Sequence, residues 1–138
     1  AGFLLFLNRQ YSIRGNYTWM TFQTEDTENE DFRAEFNTPE HKFNVGFAGR
    51  DLLKSKNLGF GINYRWIDTF FYQFVFADGE VPSYSILDAQ VSYKVPQLKT
   101  LVTVGGTNLL NDRHFEAPGG PTIGTMLYFQ LTFDELMN

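Results

Sequence analysis

The fold class this sequence predicts is all-β: an antiparallel, up-and-down barrel of the kind that spans a membrane with strands. Three observations carry it. Five segments alternate strictly between apolar and polar residues, the signature of strands with one apolar and one polar face. The connections between them alternate between short and long, as in a barrel with tight turns at one rim and long loops at the other. Helical periodicity is absent along the chain, and the longest apolar run, residues 3–7, is far short of the roughly 20 residues a membrane-spanning helix needs.

Taken in order, "FLLFL" near the start reads as the end of one strand. In "YSIRGNYTW", Tyr11, Ile13, Tyr17 and Trp19 share a face opposite Ser12, Arg14, Asn16 and Thr18. "HKFNVGFAG" sets Phe43, Val45 and Phe47 against Asn44, Gly46 and Ala48. "LGFGINYRW" sets Leu58, Phe60, Ile62, Tyr64 and Trp66 against Gly59, Gly61, Asn63 and Arg65. "SILDAQVSYKV" opposes Leu87, Ala89, Val91, Tyr93 and Val95 to Asp88, Gln90, Ser92 and Lys94. "TLVTVGGTN" is a weaker strand, loosened by Gly105 and Gly106. The tail "GTMLYFQLTF" (124–133) places Leu127, Phe129, Leu131 and Phe133 on one side, with Gly124, Met126, Tyr128, Gln130 and Thr132 on the other. Short connections are expected at 9–10, 50–57 and 96–99, and longer ones, richer in Gly, Pro and charge, at 22–40, 74–83 and 109–123. The tally is about six full strands and one partial one, within a single domain spanning 1–138.

The polar halves of these strands hide the apolar halves from a hydropathy average, which is −0.27. Membrane strands do this by construction. Aromatic residues reach 17%, with 15 Phe and 7 Tyr, and they gather toward strand ends (Tyr11, Trp19, Tyr64, Trp66, Tyr93) as an interfacial girdle would. The strands run to about nine residues or more, the length a tilted membrane strand needs. A soluble ligand-binding barrel with its apolar face inward is the competing fold. The polar face mixes Gly with Asn, Asp, Arg and Lys, which suits a wet lumen better than a solvent-facing exterior. On this reading Phe43, Phe47, Phe60, Ile62, Tyr64, Val91 and Tyr93 face lipid. Arg14, Asn63, Arg65, Asp88, Gln90 and Lys94 face the lumen.

A formal charge of −5 speaks against nucleic acid, whose binders carry basic stripes. Without cysteine there are no disulfides, thiolate metal sites or cysteine nucleophiles. The start, "AGFLLFLNRQ", shows no initiator Met and no targeting signal, as expected of a matured segment or of the late part of a longer chain.

"NTPEHKFNVGF" (37–47), "GGTNLLNDRHF" (105–115) and "GPTIGTMLYFQLTF" (120–133) resemble the last strands of TonB-dependent outer-membrane receptors. The nearest likeness is to those of Bacteroidetes-type Gram-negative bacteria, which include the SusC-like proteins. The resemblance covers most of the chain. It implies about six or seven C-terminal strands of a barrel of about 22, whose plug domain and N-terminal strands lie outside this sequence. It implies active nutrient uptake in the outer membrane, energised by the TonB complex through the plug. The implied partners are outer-membrane lipid, the rest of the barrel, the barrel-assembly machinery and a surface lipoprotein lid. It further implies that the last strand carries the assembly signal, through Gly124, Leu127, Phe129, Leu131 and Phe133. After Phe133 the chain continues as "DELMN", where many relatives stop at the aromatic residue. A small stand-alone outer-membrane barrel remains as an alternative, alongside the soluble barrel.

Enzymatic chemistry finds little support. His41 and His114 each neighbour an acid, but no nucleophile pattern accompanies them, and Ser83, Ser85 and Asp88 do not compose a triad motif. No cofactor motif is present: "GGTN" and "PGGP" precede no helix that would present a phosphate site. The acidic stretch Glu25, Asp26, Glu28, Glu30, Asp31 and Glu35 lacks the sharp-turn Gly of a calcium loop, so a solvated loop accounts for it more simply than a metal.

Overall fold

A computed structural model describes residues 1–21 and 37–133. Their architecture is a seven-stranded antiparallel sheet and a separate two-stranded hairpin. In chain order the strands are β1 (Gly2–Phe6), β2 (Tyr11–Trp19), β3 (His41–Leu52), β4 (Leu58–Ile67), β5 (Phe70–Phe74), β6 (Ala77–Val81), β7 (Tyr84–Val95), β8 (Thr100–Thr107) and β9 (Met126–Phe133). The large sheet runs β1-β2-β3-β4-β7-β8-β9, each strand beside its predecessor except where the β5–β6 hairpin intervenes. Among the described residues β1 and β9 are paired on one side only, so the sheet is an open stretch of wall, part of a larger barrel.

The register explains the alternation. Across neighbouring strands Ile13 meets Phe47, Phe47 meets Ile62, Ile62 meets Ala89 and Ala89 meets Gly106. One row further toward the short turns, Phe60, Val91, Val104 and Phe129 line up in the same way. Slipping any strand by one residue would turn its apolar set to the polar side. Rings on this apolar face also touch across strands: Phe47 lies 5.8 Å from Tyr11 and 5.4 Å from Phe60, and Phe43 lies 5.7 Å from Trp66. Each such pair adds about 0.5–1.5 kcal/mol beyond area burial.

The short connections are built by local chemistry. Asn8 Oδ1 accepts from the amides of Gln10 (2.7 Å) and Tyr11 (2.9 Å), an Asx turn joining β1 to β2. Between β3 and β4 the register shifts at Gly49–Leu52, and Leu53 and Lys56 adopt positive φ to complete the turn. Between β7 and β8, Pro96 opens one 3₁₀ turn, Pro96–Leu98, and Lys99 closes it at φ 48°.

At the other rim the chain departs from its expected loops. The expected connection 74–83 is mostly hairpin: β5 and β6 pair from Phe70↔Val81 to Phe74↔Ala77. Its base joins the only tightly buried apolar cluster among the described residues. Val81, Tyr84 and Ile86 are buried there, with Ile67, Phe70, Tyr72 and Phe115 packed against them. The core thus sits at one rim, where hairpin, wall and the 108–125 connection meet. The wall itself has none, and its apolar face stays open: Phe129 is 65% and Leu127 75% exposed.

Candidate functional site

The polar face of the sheet lines two hollows. The first, of about 500 Å³, is bounded by Ser12, Arg14, Asn63, Asp88, Gln90 and Tyr128 among others. The second, of about 650 Å³, lies toward the long-connection rim beside Arg14, Lys42, Asn44, Asn63 and Arg65. Register brings these together from separate strands. Arg14 faces Gly46 and Gly46 faces Asn63; Asn16 faces Asn44, which faces Arg65, which faces Ile86; Asn63 faces Asp88.

Several of these side chains are positioned by specific contacts. Arg14 lies across β3 over Gly46: a Cβ at that glycine would come 2.8 Å from Arg14 Nε and 3.1 Å from Asn63 Oδ1. Asp88 uses both oxygens. Oδ2 accepts from Arg65 Nη2 (3.1 Å) and Oδ1 from the Asn108 amide (3.1 Å). Tyr128 reaches over Gly105 and donates to Gln90 Oε1 at 2.8 Å. A Cβ at Gly105 would stand 2.5 Å from the Tyr128 hydroxyl and 2.9 Å from the Ala89 carbonyl, so glycine alone fits. Lys94, near the short-turn rim, is far from this group and pairs with Asp51 at 3.0 Å. The Arg65–Asp88 pair is half-exposed and contributes at most about 1 kcal/mol.

Of the residues expected to line a lumen, Arg14, Asn63, Arg65, Asp88 and Gln90 border the two hollows, and Lys94 shares their face by alternation. Phe43, Phe47, Phe60, Ile62, Tyr64, Val91 and Tyr93 alternate with them on the opposite face. In the tail, β9 begins at Met126, so Gly124 precedes the strand, while Leu127, Phe129, Leu131 and Phe133 lie within it. Lys42 is a polar-face residue that sequence reasoning passed over, and Tyr128, already on the polar side of the tail, was not counted among the lumen residues. Lys42 has the parity of Asn44 and Gly46 and could have been found by extending the alternation one step.

The 108–125 connection is an ordered cap. Asn108, 2% exposed, donates through Nδ2 to the Asp112 carbonyl (2.9 Å) and accepts at Oδ1 from the Asp112 amide (3.1 Å). Asp112 Oδ2 in turn accepts from the Ser85 amide at 2.8 Å. His114 Nδ1 donates to the Asp112 carbonyl (2.8 Å), and its ring stacks on Tyr84 with centroids 3.9 Å apart. His41, on the other rim segment, shares a 2.7 Å hydrogen bond with the Tyr17 hydroxyl. Both histidines are therefore held by structural partners. Among the described residues no group of three His, Asp or Glu could hold a metal, and no helix is long and apolar enough to cross a membrane. The acidic stretch 25–35 lies outside the described residues.

A family model described as "TonB dependent receptor-like, beta-barrel" matches residues 2–109. Among solved structures, the chain superposes on the complex of FpvAI with pyocin S2 with a TM-score of 0.71 and 12% identity, over 93% of its own length. It superposes on P. aeruginosa FpvA, solved as an iron complex with heterologous pyoverdines, with a TM-score of 0.68 and 12% identity over 91% of its length. The chain spans 18% of each of those proteins, and at this identity the likeness is one of fold. No curated protein matches the sequence.

Proposed function

The chain belongs to the TonB dependent receptor-like β-barrel family, and from that premise we propose that it is part of the barrel wall of an outer-membrane nutrient receptor. The reading gives residues 1–138 the closing strands of a larger barrel. A plug domain and N-terminal strands complete it, and the TonB complex energises it through the plug. The observation that carries it is the sheet register, which from β2 onward keeps most large apolar side chains on one exposed face and Arg14, Asn63, Arg65, Asp88 and Gln90 on the other. In a soluble sandwich the apolar face would pack against a second sheet. Among the described residues nothing covers it, and lipid is the cover this reading assigns.

The family is one of receptors and transporters, and no catalytic role is proposed. The finer assignments are a Bacteroidetes, SusC-like type with a surface lipoprotein lid, and a last strand, β9, recognised by the barrel-assembly machinery. They rest on "NLLNDRHF" and on the alternation of Leu127, Phe129, Leu131 and Phe133. Both solved relatives carry bound partners, an iron complex of a pyoverdine in one and a protein in the other. A ligand entering from the long-loop rim of this chain is the corresponding expectation.

The test is single-cysteine labelling of the full-length receptor in membranes. A probe dissolved in lipid should label cysteine at Ile62 and spare it at Asn63, with a water-soluble probe giving the reverse. Labelling at 63 by the lipid probe would end the reading.

A further inference from the structure

The second hollow is a cationic site. Arg14, Lys42 and Arg65 border it from three adjacent strands, in three successive rows of the polar face: Arg14 pairs with Gly46, Arg65 with Asn44 and Lys42 with Thr18. Among the described residues that border it there is no acid, although the whole chain is acidic at −5. Asp88 compensates Arg65 alone, and its second oxygen is committed to Asn108. Among the described residues Arg14 and Lys42 form no ion pair. Holding like charges together on one wall is unfavourable unless something negative comes between them.

Two further features belong to the same place. Gly46 has no side chain, and that absence is what lets Arg14 lie flat toward Asn63. The Oδ1 atoms of Asn44 and Asn63 are buried and without a hydrogen-bond partner. A buried acceptor left unpaired is costly, and the group that satisfies it is a donor such as a hydroxyl. Guanidinium and ammonium groups want carboxylate or phosphate oxygens. The hollow lies between the middle of the sheet and the rim of long connections, since its rows run from Arg14–Gly46–Asn63 up to Thr18–Lys42–Ile67. That rim is the outer mouth in a barrel of this kind.

We propose that this hollow binds a hydroxylated polyanion, a solute carrying at least two carboxylate or phosphate groups together with hydroxyls, such as an acidic oligosaccharide or a polyphosphorylated polyol. The inference rests on the receptor reading above, which makes this face a lumen. Arg14, Lys42 and Arg65 hold the anionic groups, and the amides of Asn44 and Asn63, which line the hollow, turn their oxygens toward it to accept from hydroxyls.

The experiment is titration calorimetry on the full-length receptor in detergent. The probes are trigalacturonate and inositol hexakisphosphate, with maltotriose as the neutral counterpart. The wild type should bind at least one polyanion, with affinity falling as salt rises, and should ignore maltotriose. Arg14→Gln with Lys42→Gln should weaken that binding about tenfold or more, the effect of losing hydrogen bonds to a charged partner. Gly46→Ala should weaken it in the same direction by displacing Arg14, and Lys54→Gln in the β3–β4 turn should leave it unchanged. Absence of binding by either polyanion at about 1 mM would overturn the proposal. So would equal affinity in the double variant. If that variant binds normally but loses thermal stability, the cations serve an acidic surface within the protein itself, and the proposal again falls. The two readings separate cleanly. Energised uptake of a neutral solute without anion binding would keep the receptor and end this site, whereas anion binding without energised uptake would do the opposite.

Discussion

Asn108 is buried at φ 50°, and its side chain ties the Asp112 backbone down from both sides. Asparagine tolerates this left-handed conformation where most residues do not. Asn108→Ala loses both the conformational tolerance and the pairing of buried backbone groups, and should cost about 2 kcal/mol or more. The readout is trypsin cleavage after Arg113, which should quicken in the variant while cleavage in the short turns stays as it was. Unchanged cleavage would show that the cap holds without Asn108. A second residue contrast tests which way the wall faces. Ile62→Arg should cost about 2–4 kcal/mol in folding from lipid vesicles if it enters the bilayer, whereas Asn63→Arg, one position along, should cost far less. Much at this scale was legible in advance, because parity alone assigns a side. The hub was not: "NLLND" carries no pattern that reveals a positive φ at Asn108 or a bond from Asp112 to Ser85, which is 27 residues away. Nor could parity reveal that Gly46 gives Arg14 its room.

At the scale of elements, alternation located five of the seven wall strands, β2, β3, β4, β7 and β9, because each has one polar and one apolar side; β1 was read from its apolar run and β8 from a weaker pattern. It failed for β5 and β6 for a physical reason. "FFYQF" packs Phe70 and Tyr72 into the rim cluster while Phe74 is left exposed at the tip, so the segment has no face of uniform polarity. A strand that leans on a loop rather than lying in a wall loses its period-two signal. Gly124 was drawn into the last strand for the opposite reason, since nothing in "IGTM" marks where pairing begins; it begins at Met126↔Thr107. From Met126 to Phe133 every residue of β9 is paired to β8. Removing residues 127–138 from the full receptor should therefore abolish its appearance in the membrane, because β8 would become a raw edge. Removing only 134–138, beyond the last paired residue, should leave membrane levels near normal. Immunoblots of isolated outer membranes decide it, and normal levels of the larger deletion would contradict the assembly role of β9.

For the molecule as a whole, the decisive feature is that the sheet has two ends. β1 pairs only with β2 and β9 only with β8 among the described residues. In hydrocarbon each unpaired backbone group costs several kcal/mol, and an eight-residue edge exposes about half its groups, so an open wall is untenable in a bilayer. Closing β1 directly onto β9 would give a barrel of seven strands, whereas single-chain bacterial barrels have an even number from about 8 upward. Such a barrel would also have to pack Arg14, Lys42, Arg65, Asp88 and Tyr128 into a lumen too narrow for them and water together. The polar face therefore calls for a wider barrel, in which further strands meet both edges. Residues 1–138 refolded alone in detergent should accordingly give oligomers or aggregates, with edges satisfied by other copies. Size-exclusion chromatography with light scattering would show a broad distribution. Hydrogen exchange should leave the β1 and β9 amides the least protected of the wall strands in whatever monomer survives. A monodisperse monomer with β1 and β9 as protected as β4 and β7 would mean that this sheet closes on itself, and the small stand-alone barrel would then replace the receptor wall as the better account.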